Sequence, residues 1–384
     1  MRENIWAVVD REDPIPRYQQ VRRMIEDSIV AGRYAPGALI PGERTLAVDM
    51  GVSQMTVNKA IQALVQDGWL RREVGFGTYV REDFIVPGLK EARIGFAVPA
   101  SMPNVAGDYY MGTLFNGLQR GIVGEPVSLS LIETPENGLY ETLGGSPMDG
   151  FLLTDPPERL VKDINRLARE GRKVVVLGGD GDLVGVPTVD CDNSSGTRQA
   201  MEHLFGLGHT RIAGVFAYID KSDSRHRREA YRDAMAERGL GRGIRCFEYS
   251  DDGPGLAAAM AELGESLAAP DHPTAFFCGG YFVALETIKV IQRSGLVVPD
   301  DVSVVGFDDP GTASYLSPPL TTVSQPLEDM GYRAMRRLMN WLLANEQPLL
   351  LDVLPTTFVE RSSTAQAPGV ASRQGLTIPI GDLL

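Results

Sequence analysis

Between Arg93 and Phe307 the chain repeats one pattern: a short, almost wholly apolar run, then an amphipathic stretch long enough for a helix. The runs are IGFAV (94–98), GFLLT (150–154), KVVVLG (173–178), IAGVF (212–216), TAFFC (274–278) and VSVVGF (302–307). The helical stretches fall at 112–121, 157–170, 194–206, 225–238, 255–268 and 282–294. A strand wetted on one face alternates apolar and polar residues, and these runs do not. They therefore read as parallel strands covered on both faces by helices. A segment of this length has room for two such sheets, so an α/β body with two lobes is expected over 93–363.

A chain of 384 residues exceeds one ordinary domain. Its hydrophobic and charged fractions, 43% and 23%, are those of a soluble globular protein. No apolar run approaches the ~20 residues that span a bilayer, and the opening MRENIWAVVDREDP lacks the apolar core of a signal peptide. Cys191, Cys246 and Cys278 are odd in number and far apart, which suggests neither a disulfide framework nor a zinc site. A cytoplasmic protein is expected. His203, His209, His226 and His272 lack metal spacing, and neither a phosphate-binding glycine loop nor a nucleophile elbow stands out. The expectation is a protein without metal or cofactor, and not an enzyme.

The first 82 residues differ in character. Pro16 to Arg33 reads as a helix with Tyr18, Val21, Ile25 and Ile29 on one stripe. A short helix follows at 43–50, Gly51 supplies a turn, and Ser53 caps a further helix running to about Asp67. A hairpin at 71–80 turns through Gly75-Phe76-Gly77. Helix, turn, helix and β-wing make a geometry whose second helix enters the major groove. Val57, Ile61 and Leu64 point inward, which leaves Gln54, Thr56, Asn58 and Lys59 outward near the helix start. Gln and Asn amides pair with adenine and Thr can meet a thymine methyl, while Lys59 and Arg44 suit phosphate. The wing tip can lie along the minor groove, with Arg71 and Arg72 near the DNA backbone. Residues 1–84 hold 11 basic and 12 acidic side chains, so nearly all of the net charge of −13 lies in the body. Phosphate contacts must come from a local face and not from a bulk field.

The stretch P-x-x-x-I-P-x-E-R-x-L-A, then G-V-S-x-x-T-V and G-x-G-T-Y-V, resembles the GntR-type winged helix over about 14–80. The resemblance implies DNA contacts by Arg44 and Thr56, and the capping Ser53 joins them as a candidate DNA-binding residue. Two positions where that family usually has arginine hold Gln54 and Asn58, which points to an A·T-richer half-site. The body resembles the LacI-type regulator core, with its periplasmic-binding-protein fold. The carriers are DNSSGTRQAMEHLFGLGHTRIAGV (192–215), RREAYRDAM (227–235), GLVVPDDVSVVGFDD (295–309), PPLTTVSQP (318–326) and LPTTFVERSST (354–364). This resemblance implies effector contacts by Arg227 and Asp308, with Tyr110 as an aromatic of the first lobe. A structural Arg–Asp pair and a core tyrosine are the alternatives. The position of the family's ligand-binding Asn is Gly280, and Tyr281 and Phe282 add aromatic bulk beside it.

The whole is similar to the arabinose-repressor type of chimera. It implies a winged head (1–82), a linker (83–92), a body (93–363) and a loosely ordered tail (364–384). Lobe 1 is expected at about 93–191 and 323–348, and lobe 2 at about 192–322 and 349–363. The implied function is a ligand-responsive repressor of a carbohydrate-use operon. A homodimer would read a double-stranded, pseudo-palindromic operator, its DNA affinity changed by a small polar effector in the cleft between the lobes, with dimer contacts from helices 112–121 and 327–343. The alternative is a sugar-binding module without DNA function.

Overall fold

The computed structural model describes residues 6, 8–10, 15–30, 33–73, 75–81, 92–100, 107–179, 185–250, 253–344 and 346–369. The chain divides into two compact units, Met1–Lys90 and Glu91–Leu384. The expected linker lies almost wholly outside the described residues.

The head has helices α1 (Arg17–Val30), α2 (Glu43–Asp49) and α3 (Gln54–Gln66), and strands β1 (Leu70–Glu73) and β2 (Gly77–Val80). Val21, Ile25 and Ile29 of α1 meet Leu46 and Ala47 of α2 and Val57, Ala60, Ile61 and Leu64 of α3. Trp69, Leu70 and Val80 close this core from the hairpin side. Burying one such aliphatic side chain contributes about 1.5–3 kcal/mol. Gly51 turns the chain between α2 and α3 at φ +68. Ser53 then caps α3, its Oγ accepting from the Thr56 amide at 3.2 Å. β1 and β2 pair antiparallel from Leu70↔Val80 to Glu73↔Gly77. A side chain at Gly77 is strained by φ +135, and the exposed tip of Leu39, whose Cδ1 would lie 2.6 Å from an added Cβ, would have to move aside.

The body holds two six-stranded sheets. The first contains β3 (Ala92–Pro99), β4 (Val127–Thr134), β5 (Gly150–Thr154), β6 (Lys173–Leu177), β7 (Thr188–Cys191) and β13 (Leu351–Leu354), in the order 13-7-6-5-3-4. The second contains β8 (Ile212–Ala217), β9 (Arg245–Tyr249), β10 (Ala275–Cys278), β11 (Ser303–Phe307), β12 (Thr321–Ser324) and β14 (Thr357–Val359), in the order 14-12-11-10-8-9. Every pairing is parallel except β12 with β14. The covering helices are α4 (Tyr109–Ile122), α5 (Leu139–Gly144), α6 (Val161–Arg169), α7 (Asn193–Gly206), α8 (Ser222–Glu237), α9 (Pro254–Leu267), α10 (Tyr281–Arg293) and α11 (Leu327–Leu343).

Two boundaries differ from the sequence reading. The final return to the second lobe falls between β13 and β14 rather than at 349, because Leu351–Leu354 extends the first sheet beside β7 in register Leu351↔Thr188. The tail does not begin at 364 either. The Ala365 amide donates to Ser303 Oγ at 3.0 Å, and the Ala367 amide donates to the Leu207 carbonyl at 2.9 Å. His209, buried between Thr274 Oγ1 (2.9 Å) and Ser303 Oγ (3.1 Å), also meets the Ala365 carbonyl at 3.1 Å. Burial holds its pKa below the usual imidazole value, so the neutral ring acts as a hydrogen-bonding clamp. The two helices expected at a dimer contact, α4 and α11, pack against each other with backbones touching. A Cβ on Gly117 would lie 2.0 Å from the Glu328 carbonyl oxygen, and one on Gly331 2.2 Å from that of Leu114.

Candidate DNA-reading surface and effector cleft

On the head, Arg44, Gln54 and Lys59 are exposed, while Thr56 and Asn58 are partly buried. Ser53 and Thr56 share a hydroxyl–hydroxyl bond of 2.8 Å, so their first task is to cap the helix. Lys59 does not hang free: its Nζ lies 4.1 Å from the centroid of the Tyr18 ring on α1. At the wing tip Gly75 takes φ +84 and leaves Phe76 78% exposed. Arg71 pairs with Glu73 and lies over the Tyr79 ring at 4.9 Å.

One junction escaped the sequence reading. Glu43 Oε1, at the start of α2, accepts from Asn58 Nδ2 of α3 at 2.9 Å and from Arg72 Nη2 of β1. Arg72 was expected near the DNA backbone with the wing. It instead reaches to the helices, because strand alternation puts it on the same hairpin face as buried Leu70. The signal available in sequence was that parity alone.

In the body, the carboxyl ends of parallel strands are where α/β sheets hold ligands. Among the described residues the non-glycine positions with φ > 0 are Asp155 (+37), Tyr218 (+50) and Asp308 (+74). They follow β5, β8 and β11, all at such ends. Conformations of this kind cost of order 1–3 kcal/mol and gather at functional sites.

Arg227, on α8, is buried and fully engaged. Its Nε donates to Asn193 Oδ1 (2.7 Å) and its Nη1 to the Gly279 carbonyl (2.8 Å). Nη2 faces Asp223 Oδ2 at 3.5 Å, and the guanidinium stacks 3.8 Å over the Phe307 ring. Asp308 stands outside ion-pair distance of Arg227 and is held by Gln325 Nε2. Neither the Arg–Asp pair nor two free ligand grips describes this arrangement fully: Arg227 is a buried counter-ion shared by Asp308 and Asp223, whose negative charges both favour its charged form, and Asp308 is half-buried. A Cβ on Gly280 would lie 3.8 Å from Asp308 Oδ2, so the missing amide side chain leaves room beside Asp308. Tyr281 turns into the lobe and bonds Thr312 Oγ1 at 2.9 Å, while Phe282 is 66% exposed. Tyr109, which the sequence reading missed, is raised to about 12 by burial and by the negative charge of Asp308.

The two lobes meet around Gly178. A Cβ there would lie 3.0 Å from the Tyr110 hydroxyl and 3.4–3.5 Å from both Asp223 oxygens. Tyr110 Oη, Asp155 Oδ1, Ser222 Oγ and Asp223 Oδ1 are buried without a hydrogen-bond partner. Burial pushes Asp223 well above the usual carboxylate range and outweighs the neighbouring guanidinium; burial likewise raises Tyr110. Asp190 accepts from the Cys191 amide at 2.7 Å, yet burial still lifts it to about 6. At the rim, ion pairs link the lobes: Lys221–Asp155 at 2.9 Å, Arg159–Asp220 at 3.2 Å and Arg225–Glu158 at 3.7 Å. Asp155, Asp190 and Asp223 were legible only as residues at strand or helix ends, with nothing to say that they converge.

A winged reading head joined to a two-lobed cleft defines a ligand-responsive type of DNA-binding regulator. Residues 17–80 match the model for bacterial regulatory proteins of the gntR family, and residues 201–364 match that for a periplasmic binding protein-like domain. The arabinose metabolism transcriptional repressor of Geobacillus stearothermophilus is 26% identical over 92% of this chain and 99% of its own length. The HTH-type transcriptional regulator CelR of Thermobifida fusca is 34% identical over 63% of this chain and 74% of its own. A LacI family regulator from Enterococcus faecium, solved with bound ribose, shares the fold with a TM-score of 0.61 at 24% identity, covering 71% of this chain and 99% of its own. This chain belongs to the bacterial HTH-type transcriptional regulators, with a gntR-type head and a periplasmic binding protein-like body, and it is a regulator rather than an enzyme. Among the described residues no helix is long and apolar enough to cross a membrane.

Proposed function

We propose that the protein is a sugar-responsive repressor of a carbohydrate-use operon, acting in the cytoplasm as a homodimer on a pseudo-palindromic operator. The observation that carries the effector reading is the set of buried oxygens left unpartnered where the lobes meet, on Tyr110, Asp155, Ser222 and Asp223. Two of the four residues are acids beside Asp190, which opposes an anion, while the phenol and the serine hydroxyl can each donate or accept, so the set favours an uncharged ligand rich in hydroxyl groups. A free sugar has that chemistry, and the relatives named for arabinose and solved with ribose agree with it. Asp308, with open space at Gly280, forms the second wall, and Phe282 is available at its margin. Arg227 orders the floor through Asn193 and Gly279.

On the head, Gln54, Thr56 and Asn58 read bases, Arg44 and Lys59 hold phosphate, and Gly75-Phe76-Gly77 presents the wing. A two-fold pair of heads suits a palindrome. Effector and operator prefer different lobe arrangements and so change each other's affinity by one shared factor, typically about 5–150-fold. The test is a gel shift on the DNA upstream of the protein's own coding sequence, with a thermal-shift panel of sugars, polyols and nucleosides. A competable complex, released by a sugar that also stabilises the protein, is expected. No competable binding to any palindrome there rejects the repressor reading. Stabilisation by uronates or sugar phosphates in preference to free sugars rejects the effector class.

A further inference from the structure

Asn58 and Arg72 come from different elements, the reading helix and the wing strand, yet both donate to the same oxygen, Glu43 Oε1. Two hydrogen bonds to one atom bring the amide and the guanidinium within about 5–6 Å of each other. Asn58 sits in the first half of α3, one helical turn beyond Gln54, among the positions that meet base edges. The Arg72 side chain is 38% exposed and that of Glu43 20%, so the arginine is the more accessible member of the pair. The neighbouring Arg71 lies on the other hairpin face, engaged by Glu73 and Tyr79.

We infer that Glu43, Asn58 and Arg72 work as one base-reading unit, with Arg72 a specificity-determining residue and Glu43 the residue that positions it. Accepting from Nδ2 fixes the rotation of the Asn58 amide, so its Oδ1 is presented away from Glu43 to a base donor. The same carboxylate orients the Arg72 fork, whose remaining N–H groups match the O6 and N7 acceptors of a guanine. Arg72 also neutralises Glu43, which would otherwise set a bare carboxylate against phosphate. The half-site then contains a guanine step next to the base read by Asn58, and is not A·T-rich throughout. This inference rests on the head reading DNA as proposed above.

The test is selection from a randomised duplex pool with the full-length protein and its variants Arg72→Ala, Arg72→Lys, Asn58→Ala, Glu43→Gln and Arg44→Ala. Wild type is expected to enrich guanine at one position, and Arg72→Ala to lose that preference by roughly 5- to 150-fold. Arg72→Lys, which keeps charge without the fork, should lose it as well. Glu43→Gln should blur preference at the guanine and at its neighbour together, with the melting temperature unchanged. Arg44→Ala should weaken all sequences alike. If Arg72→Ala instead weakens every sequence equally and lowers the salt slope by about one, Arg72 is a phosphate anchor and the inference is wrong. If it changes nothing, the Glu43 contact is internal only, and the inference is equally wrong. Failure of the wild type to enrich any sequence would refute the DNA reading itself, a result distinct from either.

Discussion

The buried position of Arg227 allows a prediction that separates a structural counter-ion from a free ligand grip. Arg227→Met keeps much of the side-chain length and its apolar contact with Phe307, but removes the guanidinium. Asp223 then loses its partner at 3.5 Å, and Asn193 Oδ1 loses a 2.7 Å hydrogen bond. Removing one member of a buried pair costs about 3–5 kcal/mol, and an orphaned acceptor roughly 1 kcal/mol or more. The contributions share partners and do not add. A loss of about 4 kcal/mol at pH 8 is therefore expected.

That loss has a pH signature. Asp223 already sits above the usual carboxylate range in the folded state, and without Arg227 it rises further. A raised carboxyl pKa means that the folded protein holds a proton the unfolded chain has released. Stability therefore falls as pH rises through the folded pKa and recovers as pH falls. The penalty in Arg227→Met should shrink between pH 8 and pH 5, and adding Asp223→Asn should recover part of it at pH 8. Urea unfolding followed by circular dichroism, at both pH values, measures all of these terms. A penalty below about 1 kcal/mol, or one that ignores both pH and Asp223→Asn, would refute the counter-ion role.

Asp190→Asn is expected to stabilise the body at pH 8 by about 1–3 kcal/mol, the upper value following from a carboxyl raised from 3.8 to about 6. The gain should shrink as pH falls through about 6 and vanish below 3.8, where the wild-type carboxyl is neutral in both states; a gain that grows at low pH would contradict the assignment. Gly331→Val must separate α4 from α11, since even a Cβ would meet the Leu114 carbonyl at 2.2 Å, and it should cost about 3 kcal/mol or more. A fall in melting temperature of under about 2 °C would mean that the helices cross less closely. Ending the chain after Ser363 rather than after Gly369 removes the bonds from Thr364 to His203 and from Ala365 to His209. It should lower stability by about 2 kcal/mol, and equal stability of the two truncations would show that this clamp is idle.

Periodicity in the sequence determined the kinds of element and their order. Burial on both faces makes a strand apolar throughout, and so 150–154 and 302–307 announced themselves. Val57, Ile61 and Leu64 marked the inner face of the reading helix because helical spacing alone sets it. What escaped was whatever depends on neighbours distant in sequence. β4 is an edge strand with a mixed pattern, VSLSLIET, and shows no continuous apolar run. β13 looked like a second-lobe segment until its pairing with β7 assigned it to the first sheet. The site divides the same way. Arg227 and Asp308 were legible from the segments that carry them, but Arg227's engagement by Asn193, Gly279 and Asp223 depends on three separate elements meeting. Local pattern is a property of one segment and its own burial. Convergence of Asp155, Asp190 and Asp223, or of Glu43, Asn58 and Arg72, arises only when packing brings separate segments together, and only the tertiary structure decided it.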